Sequence, residues 1–194
     1  MQSLPSRQHG GQGTTGQINS RGRGAARQTW ATPWPLIDEI NRVGLRGRTI
    51  NLDVCAEQWS AKAPRWYGPG STLAQDGLRA DWSAHGTVAW CNPPYASIGP
   101  WVDKAVGQSE YGIVVRLLIP PRCDRDWYHL LVELSGDGRA HRTVLERRVA
   151  FVPPDGVRSS SAPGPVELWT IGPDADLPTL LRWDAITRPR EVAP

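Results

Sequence analysis

From Pro35 to Ile186, short apolar runs alternate with stretches of helical period, and no other feature limits the possible fold as strongly. "WATPWPLIDEINRVG" reads as an extended lead-in and then a short helix from about Pro35. Proline suits a first helical turn, and Leu36, Ile37 and Ile40 fall on one face. "RTINLDVCA" reads as a buried strand ending near Asp53. "GTVAWCNPPY" is a second strand running into a proline loop, "IGPWVDKAVGQSE" a helix, and "YGIVVRLLIP" the strongest strand. "DRDWYHLLVELS" reads as a helix with Asp124 as its N-cap. "HRTVLERRVAFVPP" holds one or two strands, "GPVELWTIG" another, and "LPTLLRWDAI" reads as a terminal helix. The alternation predicts an α/β fold: a mostly parallel sheet with helices on both faces. No internal repeat is visible.

Such sheets bind ligands at the carboxyl ends of their strands. Asp53 and Asn92 each close an apolar strand and open a loop, so both are expected at one rim. Residues 55–86 form a long connection rich in Gly, Pro and polar residues, which argues against a regular element throughout. Connections of this length in a compact domain are usually functional or mobile.

The tetrapeptide Asn92-Pro93-Pro94-Tyr95 has distinct chemistry. Two prolines fix two backbone angles and remove two N–H donors, and the residue before a proline is driven extended. The loop is stiff and rich in acceptors, to which Asn92 adds a side-chain carbonyl and Tyr95 a flat face. Such a set could grip a planar group bearing an exocyclic –NH₂, taking its two hydrogens and stacking on its π-system. The acceptors would favour a more tetrahedral nitrogen with an exposed lone pair, ready to attack an electrophilic carbon held in line. That is catalysis by orientation and preorganised electrostatics. On the tetrapeptide alone, a strand-ending proline turn with a rim aromatic explains the residues equally well.

Charge is unevenly distributed. Residues 1–30 hold four arginines (Arg7, Arg21, Arg23, Arg27) and no acid; removing them from 22 Lys+Arg leaves 18 against 19 Asp+Glu. The basic excess is thus a property of the Gly/Gln/Arg-rich segment 1–28, expected to be a disordered tail capable of sequence-independent attraction to nucleic acid. No run approaches the roughly 20 apolar residues of a membrane span, and the N-terminus lacks a signal-peptide core. Cys55, Cys91 and Cys123 lie far apart without a CxxC pair, suggesting neither disulfides nor zinc. A reducing cytoplasm is the expected compartment. Ten tryptophans against one phenylalanine point mainly to core and rim packing.

Beyond this chemistry, an ordered set of blocks resembles a known family. "WCNPPY" is similar to the NPPY motif of amino-methyltransferases that use S-adenosylmethionine. "TPWPLIDEIN", "LDVCAEQWSAKAPRWYGPGSTLAQDGLRADW", "VAWCNPPYASIGPWVDKA", "VVRLLIPPRCDRDWYH", "RRVAFVPPDG" and "SSSAPGPVELW" together resemble the phage N6-adenine DNA methyltransferases of Dam type, from about Thr29 to Thr170. The resemblance implies a Rossmann-like methyltransferase domain over 29–186, followed by a flexible end at 187–194. It implies methyl transfer from S-adenosylmethionine to adenine N6 in DNA, in a flipped-base mechanism. Asn92 and the Pro93 carbonyl would hold the amino group, with Pro94 completing the loop and Tyr95 stacking on the base. Asp53, Thr32, Pro33, Asp76 and Asp81 would border the cofactor. Arg122, Arg125 and Arg158 are candidates for DNA phosphate contact.

Two departures stand out. "LDVCAEQ" lacks the glycine-rich cofactor loop of many adenine methyltransferases. The length also leaves no room for a large target-recognition domain, implying short or loose sequence specificity. Packing, turn or surface roles compete at several positions. Asp81 could be a turn acid and Trp82 a packing residue. Arg122 and Arg125 could pair with Asp124 or Asp126, and Lys62 and Arg65 could belong to a packed loop. No histidine has ligand spacing, and no metal is expected. A monomer acting on DNA, phage-encoded and so working in the host cytoplasm, is the reading. The competing ones are methyl transfer to a protein glutamine or an RNA base, and an inactive DNA-binding relative.

Overall fold

The computed structural model describes residues 30–44, 47–154, 164–173 and 177–183. The tail 1–28, Arg158, nearly all of the 159–164 loop and the end 187–194 lie outside them.

In chain order the elements are α1 (Trp34–Val43), β1 (Leu52–Asp53), β2 (Arg65–Trp66), β3 (Val88–Cys91), α2 (Gly99–Ser109), β4 (Val114–Ile119), α3 (Asp126–Gly136), β5 (Ala140–Leu145), β6 (Glu167–Ile171) and β7 (Leu180–Leu181). The strands form one seven-stranded sheet in the order β2-β1-β3-β4-β6-β5-β7. Neighbours pair in parallel from β2 to β4, and β5 pairs in parallel with β7. β6 lies between β4 and β5 and is antiparallel to both. One reversed strand in an otherwise parallel sheet is a mixed α/β architecture consistent with a Rossmann-like methyltransferase fold.

Alternation along the strands fills the two faces. On β3, Ala89 and Cys91 join Val115, Leu117 and Ile119 of β4 under α2 and α3, where Trp101, Val102, Ala105, Tyr128 and Leu131 cover them. Val88 and Trp90 face the other way with Val114 and Leu118, against Leu36, Ile37 and Ile40 of α1. Helices therefore cover both faces. The expected α1 stripe of Leu36, Ile37 and Ile40 is buried.

Three local expectations need correction. "LPTLLRWDAI" supplies a strand where a helix was expected: Leu180–Leu181 pair with β5 through Val144 and Leu145. A helical period over so few residues cannot be told from an edge strand, and the open side of β5 decides it. Asp124 is not the cap of α3. Arg125 holds that position in extended backbone with no side-chain cap, and Asp124 instead pairs with Arg125 at 3.3 Å. The 55–86 connection contains β2, which extends the sheet beyond β1.

That connection is irregular yet firmly held. Trp82 is fully buried, its Nε1 donating to the Gly77 carbonyl at 2.8 Å and its backbone N–H to Gln108 Oε1 at 2.7 Å. Tyr67, also fully buried, donates from its hydroxyl to the Asp81 carbonyl at 2.9 Å. No helix among the described residues is long and apolar enough to cross a membrane.

Candidate active site

The parallel register sets Asp53 beside Trp90, and the Val54 N–H donates to the Trp90 carbonyl at 3.0 Å. β1 and β3 thus finish together, with Asp53 and Asn92 at the same rim. A cavity of about 250 Å³ opens there. Thr32, Asp53, Asp76, Asn92 and Pro94 line it, so five of the expected site residues meet in one place.

Asp53 is 3% exposed. Its Oδ2 accepts the Lys62 N–H at 2.9 Å and its Oδ1 the Cys55 N–H at 3.2 Å. Burial pushes its carboxyl up to about 6, against the smaller opposing pull of those two N–H groups and the Lys62 charge. Burial likewise pushes the Cys55 thiol up to about 12 and raises Cys91 well above the ordinary range. Neither sulfur is a thiolate near neutral pH, which argues against nucleophilic roles for them.

The missing glycine-rich loop has a physical substitute. Two glycines from the long connection let its backbone lie directly on the turn after β1. A Cβ on Gly77 would stand 1.9 Å from the Val54 carbonyl oxygen, and one on Gly68 1.9 Å from that of Ala56. Gly68 also takes φ +148, which side chains rarely adopt. The close approach comes from residues 14 and 23 positions beyond Val54, not from the loop itself.

The proline loop stands between two cavities. Asn92 Nδ2 makes a long 3.5 Å contact with the Trp30 carbonyl, leaving Oδ1 as the acceptor. The Pro94 carbonyl accepts the Ser97 N–H at 3.0 Å, while among the described residues none donates to that of Pro93. Tyr95 belongs to the second cavity, about 290 Å³, with Pro120, Pro121, Arg122, Phe151 and Val166. Its ring meets Phe151 edge-on at 6.3 Å between centroids. Its hydroxyl is buried without a partner among the described residues, and burial raises its pKa.

Other expected residues fall elsewhere. Pro33 is the N-cap of α1 and does not line the first cavity. Asp81 is turned away from it: its Oδ1 accepts the Ser83 N–H at 2.9 Å and hydroxyl at 2.6 Å, bonds that hold its carboxyl below the ordinary value. Asp81 is a turn acid. Asp76 lines the cavity while capping its own turn through the Leu78 N–H at 2.9 Å. Arg122 reaches the second cavity, and Arg125 is an exposed helix-start residue.

Sequence reading assigned no role to Trp30, Glu57, Gln75 or Phe151. Trp30, Glu57 and Gln75 line the first cavity, brought there by loop geometry that no periodicity encodes. Phe151 carried one signal: it is the chain's single phenylalanine, in a block already noted.

Among known proteins, the family described as DNA N-6-adenine-methyltransferase (Dam) matches residues 19–166. The DNA N-6-adenine-methyltransferase of Haemophilus phage HP1 (strain HP1c1) is 29% identical over 107 residues, 55% of this chain and 57% of that protein. The match therefore spans little more than half of the relative.

Proposed function

The chain belongs to the DNA N-6-adenine-methyltransferase (Dam) family, and from that premise we propose that it transfers a methyl group from S-adenosylmethionine to N6 of adenine in DNA. One observation carries the reading. A donor-poor loop, Asn92 to Tyr95, separates a cavity holding the buried acid Asp53 from a second one lined by Tyr95, Phe151, Arg122 and prolines.

The first cavity suits the methyl donor. Trp30 and Thr32 line it, and Trp30 Nε1 and Thr32 Oγ1 are buried without hydrogen-bond partners among the described residues. Asp53, Thr32 and Asp76 would hold S-adenosylmethionine, which supplies an electrophilic methyl group when bound. Above about pH 6 the Asp53 carboxylate favours the cationic parts of that ligand.

The second cavity suits the base. Adenine inside a duplex cannot reach it, so the base is turned out of the stack. Tyr95 and Phe151 present aromatic surface for stacking. Asn92 Oδ1 and the Pro93 carbonyl accept the two N6 hydrogens, turning the nitrogen lone pair toward the first cavity. As the methyl carbon passes from sulfur to N6, the same acceptors would stabilise the positive charge that nitrogen gains until it gives up one hydrogen as a proton to solvent. Arg122, and beyond the described residues Arg158, would anchor backbone phosphates.

The test incubates the protein with tritiated S-adenosylmethionine and separate DNA, RNA and protein acceptors. Label in N6-methyladenine of DNA is expected. Label confined to RNA or protein would replace the substrate assignment, and binding without transfer would indicate an inactive relative.

A further inference from the structure

Most exposed arginines among the described residues are neutralised where they stand. Arg42 pairs with Glu39, Arg79 with Asp76, Arg125 with Asp124, Arg139 with Glu110 and Arg142 with Glu167, while Arg147 and Arg182 share Glu146. Arg65 donates to the His85 carbonyl at 2.7 Å, and Arg48 is also engaged. Arg122 and Arg148 are the exceptions. Both are exposed, and neither guanidinium has a hydrogen-bond or ion-pair partner among the described residues. The acids nearest in sequence, Asp124 and Glu146, are taken by other arginines.

The sheet explains where these two charges stand. β4 and β5 are both antiparallel to β6, so they run the same way, and the register sets Ile119 and Val144 against one residue, Glu167. The two strands therefore end at one level with β6 between them, about 10 Å apart at the usual strand spacing. Arg122 lies three residues beyond the end of β4, and Arg148 three beyond the end of β5. Gly164, Pro165 and Val166 lead into the intervening β6 and line the second cavity. Arg122 lines that cavity too, and Arg148 is on the loop that brings Phe151 to it. Along that loop Val149 and Phe151 are buried while Arg148 and Ala150 are exposed, which leaves the arginine on the solvent side.

We infer that Arg122 and Arg148 form a two-point clamp for the phosphates of one DNA strand across the second cavity, with Arg148 a contact that sequence reading did not assign. This rests on the methyl-transfer reading above. A span of about 10 Å matches about three phosphate steps along one strand, at about 3.4 Å each. The two guanidiniums hold phosphates on either side of the nucleotide turned into the cavity, each offering a planar pair of donors. Contacts of this kind fix the strand's register and carry no base information.

The test is filter binding of DNA from about 0.1 to about 1 M salt with the full chain and its Arg122→Ala, Arg148→Ala, double and Arg139→Ala variants. Arg139 is exposed and precedes β5, at the opposite rim, so its loss lowers the net charge equally and leaves the clamp intact. Arg148→Ala should make the slope of log affinity against log salt shallower by about 0.9, a loss of about eightfold at about 0.1 M salt relative to about 1 M, whatever the base sequence; the double variant should lose about 1.8. S-adenosylmethionine affinity and the melting temperature should hold, since both arginines are on the surface. Arg139→Ala should keep the slope of the unsubstituted chain. If that chain methylates DNA but Arg148→Ala has the same slope as Arg139→Ala, the clamp alone is overturned. A fall in melting temperature or in S-adenosylmethionine affinity in Arg148→Ala also overturns it and makes the residue a structural support. If the unsubstituted chain binds and methylates RNA only, or no nucleic acid, the methyl-transfer reading falls and the clamp with it.

Discussion

Asp53 shows how position sets the chemistry of one side chain. The sequence marks it only as a polar residue ending an apolar strand. Burial then lifts its carboxyl from 3.8 to about 6, and two backbone donors keep it from rising further. Because the folded value is the higher one, ionising it opposes folding. The penalty is absent below about pH 4 and complete above about pH 6, on the order of 3 kcal/mol. A cationic ligand needs the ionised form. Cofactor affinity should therefore fall about tenfold for each pH unit below 6 and level off above it. Calorimetry between pH 5 and 8 checks this, and Asp53→Asn should abolish the slope. A flat profile in the unsubstituted protein would remove Asp53 from the cofactor site. Asp81 teaches the opposite lesson. Its sequence neighbourhood matched Asp76, but Ser83 two residues on captures its carboxylate.

Elements with strong periodicity were readable in advance. α1, β3, α2, β4 and β6 stand where their apolar patterns put them, because each buries its pattern against the sheet. The unreadable parts are those decided by non-local pairing. β2 is two residues long and exists because β1 offers it an edge, and β7 exists because β5 does. The first cavity's wall is the extreme case. Gly68 and Gly77 look like ordinary loop glycines, and only the folded chain reveals the backbone pressed against them. Gly77→Ala would drive a Cβ to 1.9 Å from the Val54 oxygen, with Trp101 carbons at 3.1 Å on another side. It should cost at least about 2 kcal/mol of stability and weaken cofactor binding. Thermal melting with and without S-adenosylmethionine checks both. An unchanged melting temperature would show that the segment can move away at little cost. Gly107→Ala, with nothing within 4 Å of its Cβ, serves as the control.

At the scale of the molecule, the sheet divides the labour. β1 and β3 carry the first cavity at their carboxyl ends, and the loops after β3 and β4, with Phe151, build the second. The Asn92–Tyr95 loop touches both cavities, so two ligands could meet across it. The rim was legible from two polar strand ends, whereas the pairing of cavities was not, since Phe151 and Arg122 converge only through the fold. The DNA side of the proposal adds electrostatics. Arg122→Ala should weaken DNA binding while sparing the cofactor. Removing residues 1–28 should lower DNA affinity mainly at low salt. The slope of log affinity against log salt should become shallower by about 0.9 for each phosphate the tail neutralises. Filter binding between 50 and 200 mM salt, about the range where such charges matter most, checks both; coincident curves would reject a role for the tail.

We propose above all that Asn92 to Tyr95 grip an adenine amino group. The most direct measurement pairs N6-methyladenine formation in DNA with cofactor affinity for the unsubstituted chain and for Asn92→Ala. Transfer should fall at least about 100-fold, the usual effect of deleting one preorganised group that stabilises a transition state, with cofactor affinity within a few-fold. Near-normal N6-methyladenine formation by Asn92→Ala would contradict it.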